Sequence, residues 1–309
     1  NAVYESLEIG IDSGIMPERP FHIRCEQEKY VESLCENSVK LPNWLEQYIY
    51  DELGANYCCS NTDMVVLEWD RNKILNYLGT YFPRSFAEGY SIFNKYAKLQ
   101  KDYIEKKSSL TLFDFGCGTG GELVGLILAI KENFPHINTF RIKALDGNIY
   151  ALRILESILS KLSVVVGVEI HFSPIPIIIE DFYDMSLVVG TLSDPFDFII
   201  SFKALCEFVT KQQFESKNPY TYFLNTFIEN LSNGGCFFLA DITTYNDVSQ
   251  EWLPKMLDQG IINQSNLDLI ASNPEYNEEF RISHSKKKND VSKIAWRILR
   301  KNDNNNLII

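Results

Sequence analysis

Two hydrophobic rhythms divide the chain. Over residues 1–107 apolar side chains return at helical spacing: Trp44 with Tyr48, Leu45 with Ile49, and Ile74, Leu75 and Leu78 behind Asp70, a residue suited to cap a helix. Beyond the polar run at 105–109, short apolar strands alternate with amphipathic helices, the pattern of a mostly parallel sheet with crossover helices. Strands are expected at 110–115, 140–145, 168–172, 196–202 and 236–240, and helices around 121–133, 149–162 and 220–231. The rhythm then breaks. A helix is expected over 248–258, and strand-like runs at 279–284 and 292–299 flank the polar loop 285–290, which is too short for anything but an antiparallel hairpin. The expected architecture is α/β, a Rossmann-like doubly wound sheet at 108–301. A helical lobe at 1–107 caps the substrate pocket, and an Asn-rich flexible tail occupies 302–309.

The sharpest local signal is Asp114-Phe115-Gly116-Cys117-Gly118-Thr119-Gly120-Gly121, running from an apolar strand into a helix. Glycines there permit a tight turn and bring a ligand against backbone N–H groups at a helix N-terminus. Gly116, Gly118 and Gly121 also satisfy G-x-G-x-x-G in the strand-turn-helix context that this pattern requires. Asp146 ends the next strand, 25 residues past Gly121, where a carboxylate can accept both hydroxyls of a ribose. The plainer alternative makes Asp146 a helix cap and the glycines a turn. Asp114 separates two nucleoside classes, because an acidic residue beside the loop opposes a dinucleotide's diphosphate and suits a cationic sulfonium.

Composition narrows the rest. With 309 residues, 45% of them hydrophobic, the chain is neither a disulfide-stapled module nor disordered. The formal charge of -12 repels nucleic-acid phosphate at long range. Seven cysteines form no C-x-x-C pair, and Cys58-Cys59 has no companion cluster for zinc, so no metal is expected and a reducing cytoplasm is. No window approaches the roughly 18 apolar residues of a membrane helix. Asn1-Ala2-Val3 lacks an initiator Met and a basic segment, and reads as a trimmed start.

Over about 110–300 the chain resembles the class I S-adenosylmethionine-dependent methyltransferases, in its acidic-x-Gly-x-Gly-x-Gly loop, Asp146, the strand at 196–202, the Asn233-Gly234-Gly235 turn and the closing hairpin. The resemblance implies a seven-stranded sheet with its last strand antiparallel, the runs at 279–284 and 292–299 serving as the sixth and seventh strands, and S-adenosylmethionine as cofactor. It implies that Asp114, Gly116, Cys117 and Gly118 line the methionyl group and that Asp146 and Gly147 meet the ribose. It further puts Asn148 by the adenine, Asp181-Phe182 against the adenine amino group and ring, and Ser201 beneath the sulfonium. Asp181 is equally a solvated turn residue on its sequence alone.

Methyl transfer is an in-line displacement that positioning can largely accelerate, so no obligatory base is expected. Glu207 follows the fourth strand and either orients the acceptor or merely starts a helix; Cys206 reads as core. Upstream, either Arg84 pairs with the cofactor carboxylate or the substrate while Tyr81 or Tyr90 closes the pocket, or the segment is only a helix entry with a capping box of Ser85 and Glu88. His22, His136, His171 and His284 are scattered, and His171 reads as a buried ring. Lys286, Lys287, Lys288 and Lys293, with Arg297, Arg300 and Lys301, either grip RNA or form a solvated turn. The reading is a methyltransferase for a small-molecule or peptide-like acceptor, of undetermined oligomeric state, with no membrane partner. Its rivals are an RNA methyltransferase, an NAD-dependent oxidoreductase and a catalytically inert cofactor-binding scaffold.

Overall fold

The computed structural model describes residues 37–58, 71–193, 195–209, 218–246, 250–262 and 264–302. In chain order the first elements are β1 (Ser38–Lys40), α1 (Asn43–Gln47), α2 (Arg71–Leu99), α3 (Lys101–Glu105), β2 (Ser109–Phe115), α4 (Gly121–Asn133) and β3 (Thr139–Leu145). Next come α5 (Ile149–Val166), β4 (Glu169–Ile175), α6 (Ser186–Gly190), β5 (Phe196–Phe202), α7 (Leu205–Val209), α8 (Pro219–Phe227) and β6 (Leu231–Asp241). The chain continues through β7 (Tyr245–Asn246), β8 (Glu251–Trp252), α9 (Leu253–Ile261), β9 (Leu267–Ser272), β10 (Glu278–His284) and β11 (Lys287–Lys301). Expectations that fall on His22, Cys59, Asp70, Val248 and the tail beyond Asn302 lie outside the described residues.

The strands form the expected doubly wound, mostly parallel sheet, but it is larger than seven strands. Nine strands take the order β1-β10-β11-β6-β5-β2-β3-β4, with β9 also on β11. Strands β4, β3, β2, β5 and β6 are parallel neighbours, and β11 runs antiparallel to β6. The expected antiparallel hairpin forms between β10 and the first half of β11, and β1 adds to the other edge of β10. Strand β9, which was not expected, pairs with Arg297–Lys301 of β11. The hairpin turn is shorter than expected, since the lysine-rich stretch from Lys287 onward is already strand.

Alternation along β2 divides its side chains between two cores. Leu110 and Leu112 join the cluster under α2, α4 and α5, while Phe113 and Phe115 join the one under α6, α8 and α9. Strand β4 runs past the stretch expected for it, at 168–172, and includes Pro174. That strand is the sheet edge, where a missing N–H costs no ladder bond. His171, on the same strand, is half exposed and paired with Glu169 rather than buried.

Helix α2 passes through the expected capping box without a break, so Ser85 is mid-helix and not a cap. Pro83 within it leaves the Gly79 carbonyl without a helical donor, and the Tyr50 hydroxyl donates to that carbonyl at 2.6 Å. This helix crosses α4 at backbone contact. A Cβ on Gly89 would stand 2.2 Å from the Glu122 carbonyl oxygen, and Cβ atoms on Gly121 and Gly125 would stand 2.3 Å from those of Phe82 and Phe86. The segment before β2 therefore shares one core with the sheet: Leu41, Leu45, Ile49, Phe86 and Phe93 belong to the same cluster as Leu112 and Ile142.

Candidate functional site

The carboxyl ends of β2, β3 and β5 converge where the crossovers change sides, the position at which open α/β sheets hold ligands. A cavity of about 310 Å³ lies there, within the usual size of a small-molecule site. Its floor is Phe115–Gly118 and Leu145–Gly147. Its walls are Ile177–Glu180 after β4, Phe202–Ala204 with Glu207 and Phe208 after β5, and Tyr77, Tyr81 and Ser85 from α2.

The glycine loop closes largely on itself. Gly116, Gly118 and Gly120 all take left-handed φ angles, of 70°, 52° and 78°, which side-chain-bearing residues adopt only under strain. The N–H groups of Gly116 and Cys117 donate to the Leu145 carbonyl, and Gly118 N–H donates to Asp146 Oδ2 at 2.8 Å. Three N–H groups expected to face a ligand are thus spent inside the protein. The first turn of α4 is covered as well, since Gly121 lies against the Phe82 carbonyl of α2.

Asp146 holds the loop from the tip of β3. Besides Gly118, it accepts the Asn148 N–H at 2.8 Å on Oδ1. Burial pushes its pKa up, and the two backbone donors counter that push. Asn148 caps α5, accepting the Tyr150 and Ala151 N–H groups at 3.0 and 3.2 Å, so its amide oxygen is spent on the helix.

Asp114 does not line the cavity. It is fully buried on the α4 side of β2, and neither of its oxygens meets an N–H or O–H donor among the described residues. Its neighbour is the Glu122 carboxyl, which does line the cavity. Burial, then the facing Glu122, drives Asp114 well above the usual carboxylate range. Glu122 is itself pushed up to about 7 by burial. Burial disfavours a second negative charge beside the first. The loop's acidity therefore reaches the cavity through Glu122 and Asp146 rather than through Asp114.

The remaining residues singled out from sequence divide. Gly116, Cys117, Gly118, Asp146, Gly147, Tyr81 and Glu207 meet at the cavity. Asp181 is exposed and accepts the Tyr183 N–H at 2.9 Å, while Phe182 is buried against Phe208 with ring centroids 4.8 Å apart. Ser201 is buried in β5, with no partner for its hydroxyl among the described residues. Arg84 turns to Asp290, Nε to Oδ1 at 3.0 Å, and Tyr90 bonds Glu132. Four of the basic residues of the hairpin region pair with carboxylates: Lys287 with Asp290, Lys293 with Glu279, Arg297 with Asp258 and Arg300 with Asp268.

Three groups at the cavity escaped the sequence reading. Tyr77 stands four residues before Tyr81 on the same helix stripe, a signal that was present. Lys203, at a positive φ of 55°, points its ammonium to Glu88 Oε1 at 2.9 Å and Ser85 Oγ at 3.0 Å. The isoleucine wall at 177–179 follows the end of β4, beyond the stretch expected for that strand.

No family model and no curated protein matches the sequence. Solved structures share the outline. A Listeria monocytogenes protein, described as a class I S-adenosylmethionine-dependent methyltransferase, is 15% identical over 69% of this chain and 60% of its own, at a TM-score of 0.41. This chain thus spans less than two thirds of that protein. A Pyrococcus horikoshii protein described as an RNA methyltransferase is 11% identical over 86% of this chain and 100% of its own, at 0.40. A Podospora anserina methyltransferase, solved with S-adenosylhomocysteine bound, is 13% identical over 93% and 100%, at 0.43. All three descriptions are of methyltransferases. Among the described residues no helix is long and apolar enough to cross a membrane.

Proposed function

We propose that the protein is an S-adenosylmethionine-dependent methyltransferase for a small-molecule or peptide-like acceptor. The observation that carries this reading is the charge of the cavity wall. Glu122, Asp146, Glu180 and Glu207 line it, and its one cation among the described residues, Lys203, is already paired with Glu88. Such a wall suits a nucleoside bearing a positive sulfur and opposes a diphosphate. The loop geometry supports the same choice, because a diphosphate needs free N–H groups and those of Gly116, Cys117 and Gly118 are taken.

When bound, the cofactor would supply a methyl carbon made electrophilic by its sulfonium. The protein's part is to bind and orient. Asp146 retains lone pairs for the ribose hydroxyls, Ile177–Ile179 offer an apolar wall to the base, and Gly116 and Gly118 line the floor assigned to the methionyl arm. Glu207, in the first turn of α7, stands on the acceptor side and is positioned to orient a nucleophile that carries a proton. Helix α2 acts as the cap of the acceptor pocket, through Tyr77, Tyr81 and Ser85.

Titration calorimetry tests the reading by comparing S-adenosylhomocysteine with NAD. Binding of the former and not the latter is expected; the reverse overturns the proposal in favour of an oxidoreductase. The acceptor class is tested by salt. A steep loss of RNA binding from low to moderate salt, with methyl transfer to that RNA, replaces the small-molecule reading by the RNA one.

A further inference from the structure

Tyr77 belongs to none of the motifs, yet it reaches the centre of the site. It stands on α2 one turn before Tyr81, and the two rings, both on the cavity wall, lie 5.2 Å apart between centroids at a tilt of 43°. A Cβ on Gly118 would be 2.5 Å from the Tyr77 hydroxyl, so the ring ends directly on the glycine loop. Asp146, Glu122 and Glu207 all act on that hydroxyl through their charge, and burial drives its pKa well upward. Tyr77 therefore remains a neutral phenol at any working pH, with its π system intact. An aromatic face next to carboxylates is the chemistry that recognises a cation, by quadrupole and by charge together.

We propose that Tyr77, with Glu122 and Asp146, forms a charge-reading corner that holds the positively charged form of the cofactor more tightly than its neutral thioether product. This rests on the methyltransferase reading above. Loss of the methyl group removes the sulfonium charge, so the attraction to the ring ends with the reaction. The corner thereby favours the donor over the spent cofactor, making Tyr77 a specificity-determining residue supplied from outside the glycine loop.

Calorimetry on the full chain with three ligands tests this without knowledge of the acceptor: S-adenosylmethionine; sinefungin, in which a charged amine-bearing carbon replaces the sulfonium; and S-adenosylhomocysteine. The wild type is expected to prefer the first two. In Tyr77→Leu these should weaken by roughly three- to thirtyfold while S-adenosylhomocysteine changes little. Tyr77→Phe keeps the ring and should restore the preference; Tyr77→Met serves if the leucine variant does not fold. Equal weakening of all three ligands, or of none, overturns the role of Tyr77 and leaves the methyltransferase reading standing. If the wild type binds none of the three, the methyltransferase reading falls and this one with it.

Discussion

Replacing Glu122 by glutamine is the most direct probe of the buried acid pair. Glu122 is almost wholly buried, faces Asp114 and titrates near 7, whereas in an unfolded chain it titrates near 4.5. Burial is the main cause; Glu88 adds to it, and the Asp114 contact, a backbone N–H and Lys203 oppose it. Between those two pH values the folded state holds more protons than the unfolded one, so each step upward in pH favours unfolding. Below 4.5 both states are protonated and above 7 both are ionised, and the contribution is flat. A displacement of this size corresponds to about 3 kcal/mol of stability lost across the window. Glutamine has the same shape, does not titrate, and offers an N–H donor to Asp114, which lacks one. Urea unfolding at pH 5, 6, 7 and 8 should show Glu122→Gln near wild type at pH 5 and about 2–3 kcal/mol more stable at pH 8. Wild-type and variant curves that stay parallel across that range would refute the argument, since no titration of Glu122 would then be coupled to folding.

Three further outcomes are expected. Asp146→Ala removes the acceptor of two backbone N–H groups and the carboxylate assigned to the ribose; S-adenosylhomocysteine should bind about 1.5–3 kcal/mol more weakly, and unchanged affinity in a folded variant contradicts the assignment. Gly125→Ala places a methyl 2.3 Å from the Phe86 carbonyl oxygen and should cost about 1–3 kcal/mol in urea unfolding. Gly190→Ala, in open space, should be neutral or stabilising by up to about 1 kcal/mol, and the same sign for both alanines would count against the helix contact. Lys203→Met strands Glu88, whose side chain is fully buried, and should cost about 3–5 kcal/mol. Adding Glu88→Met should recover most of that loss in a double-mutant cycle, and additive losses would show that the two side chains are not coupled.

What could be read from the chain was what depends on near neighbours. The five parallel strands, the glycine turn and the carboxylate at the tip of β3 follow from period, turn chemistry and spacing, and they stand where expected. The rest depended on contacts distant in sequence. Strand β9 is a partly exposed edge piece with mixed polarity, and only its pairing with β11 makes it a strand. Helix α2 survives its proline because Tyr50, 29 residues upstream of Gly79, supplies the missing donor. The glycine loop looks open to a ligand in sequence; its N–H groups are occupied because the end of β3 folds back over it. Asp114 is acidic on paper, and burial, with the approach of Glu122 from the next helix, pushes its pKa well above the usual carboxylate range.

The glycine contacts between α2 and α4 limit how the crevice communicates with its surroundings. With carbonyls of one helix resting on the bare α-carbons of the other, the tyrosine side of the pocket is riveted to the floor and cannot swing as a door. On the opposite rim, after β4, Ile178 is 59% exposed and gives the crevice a greasy threshold.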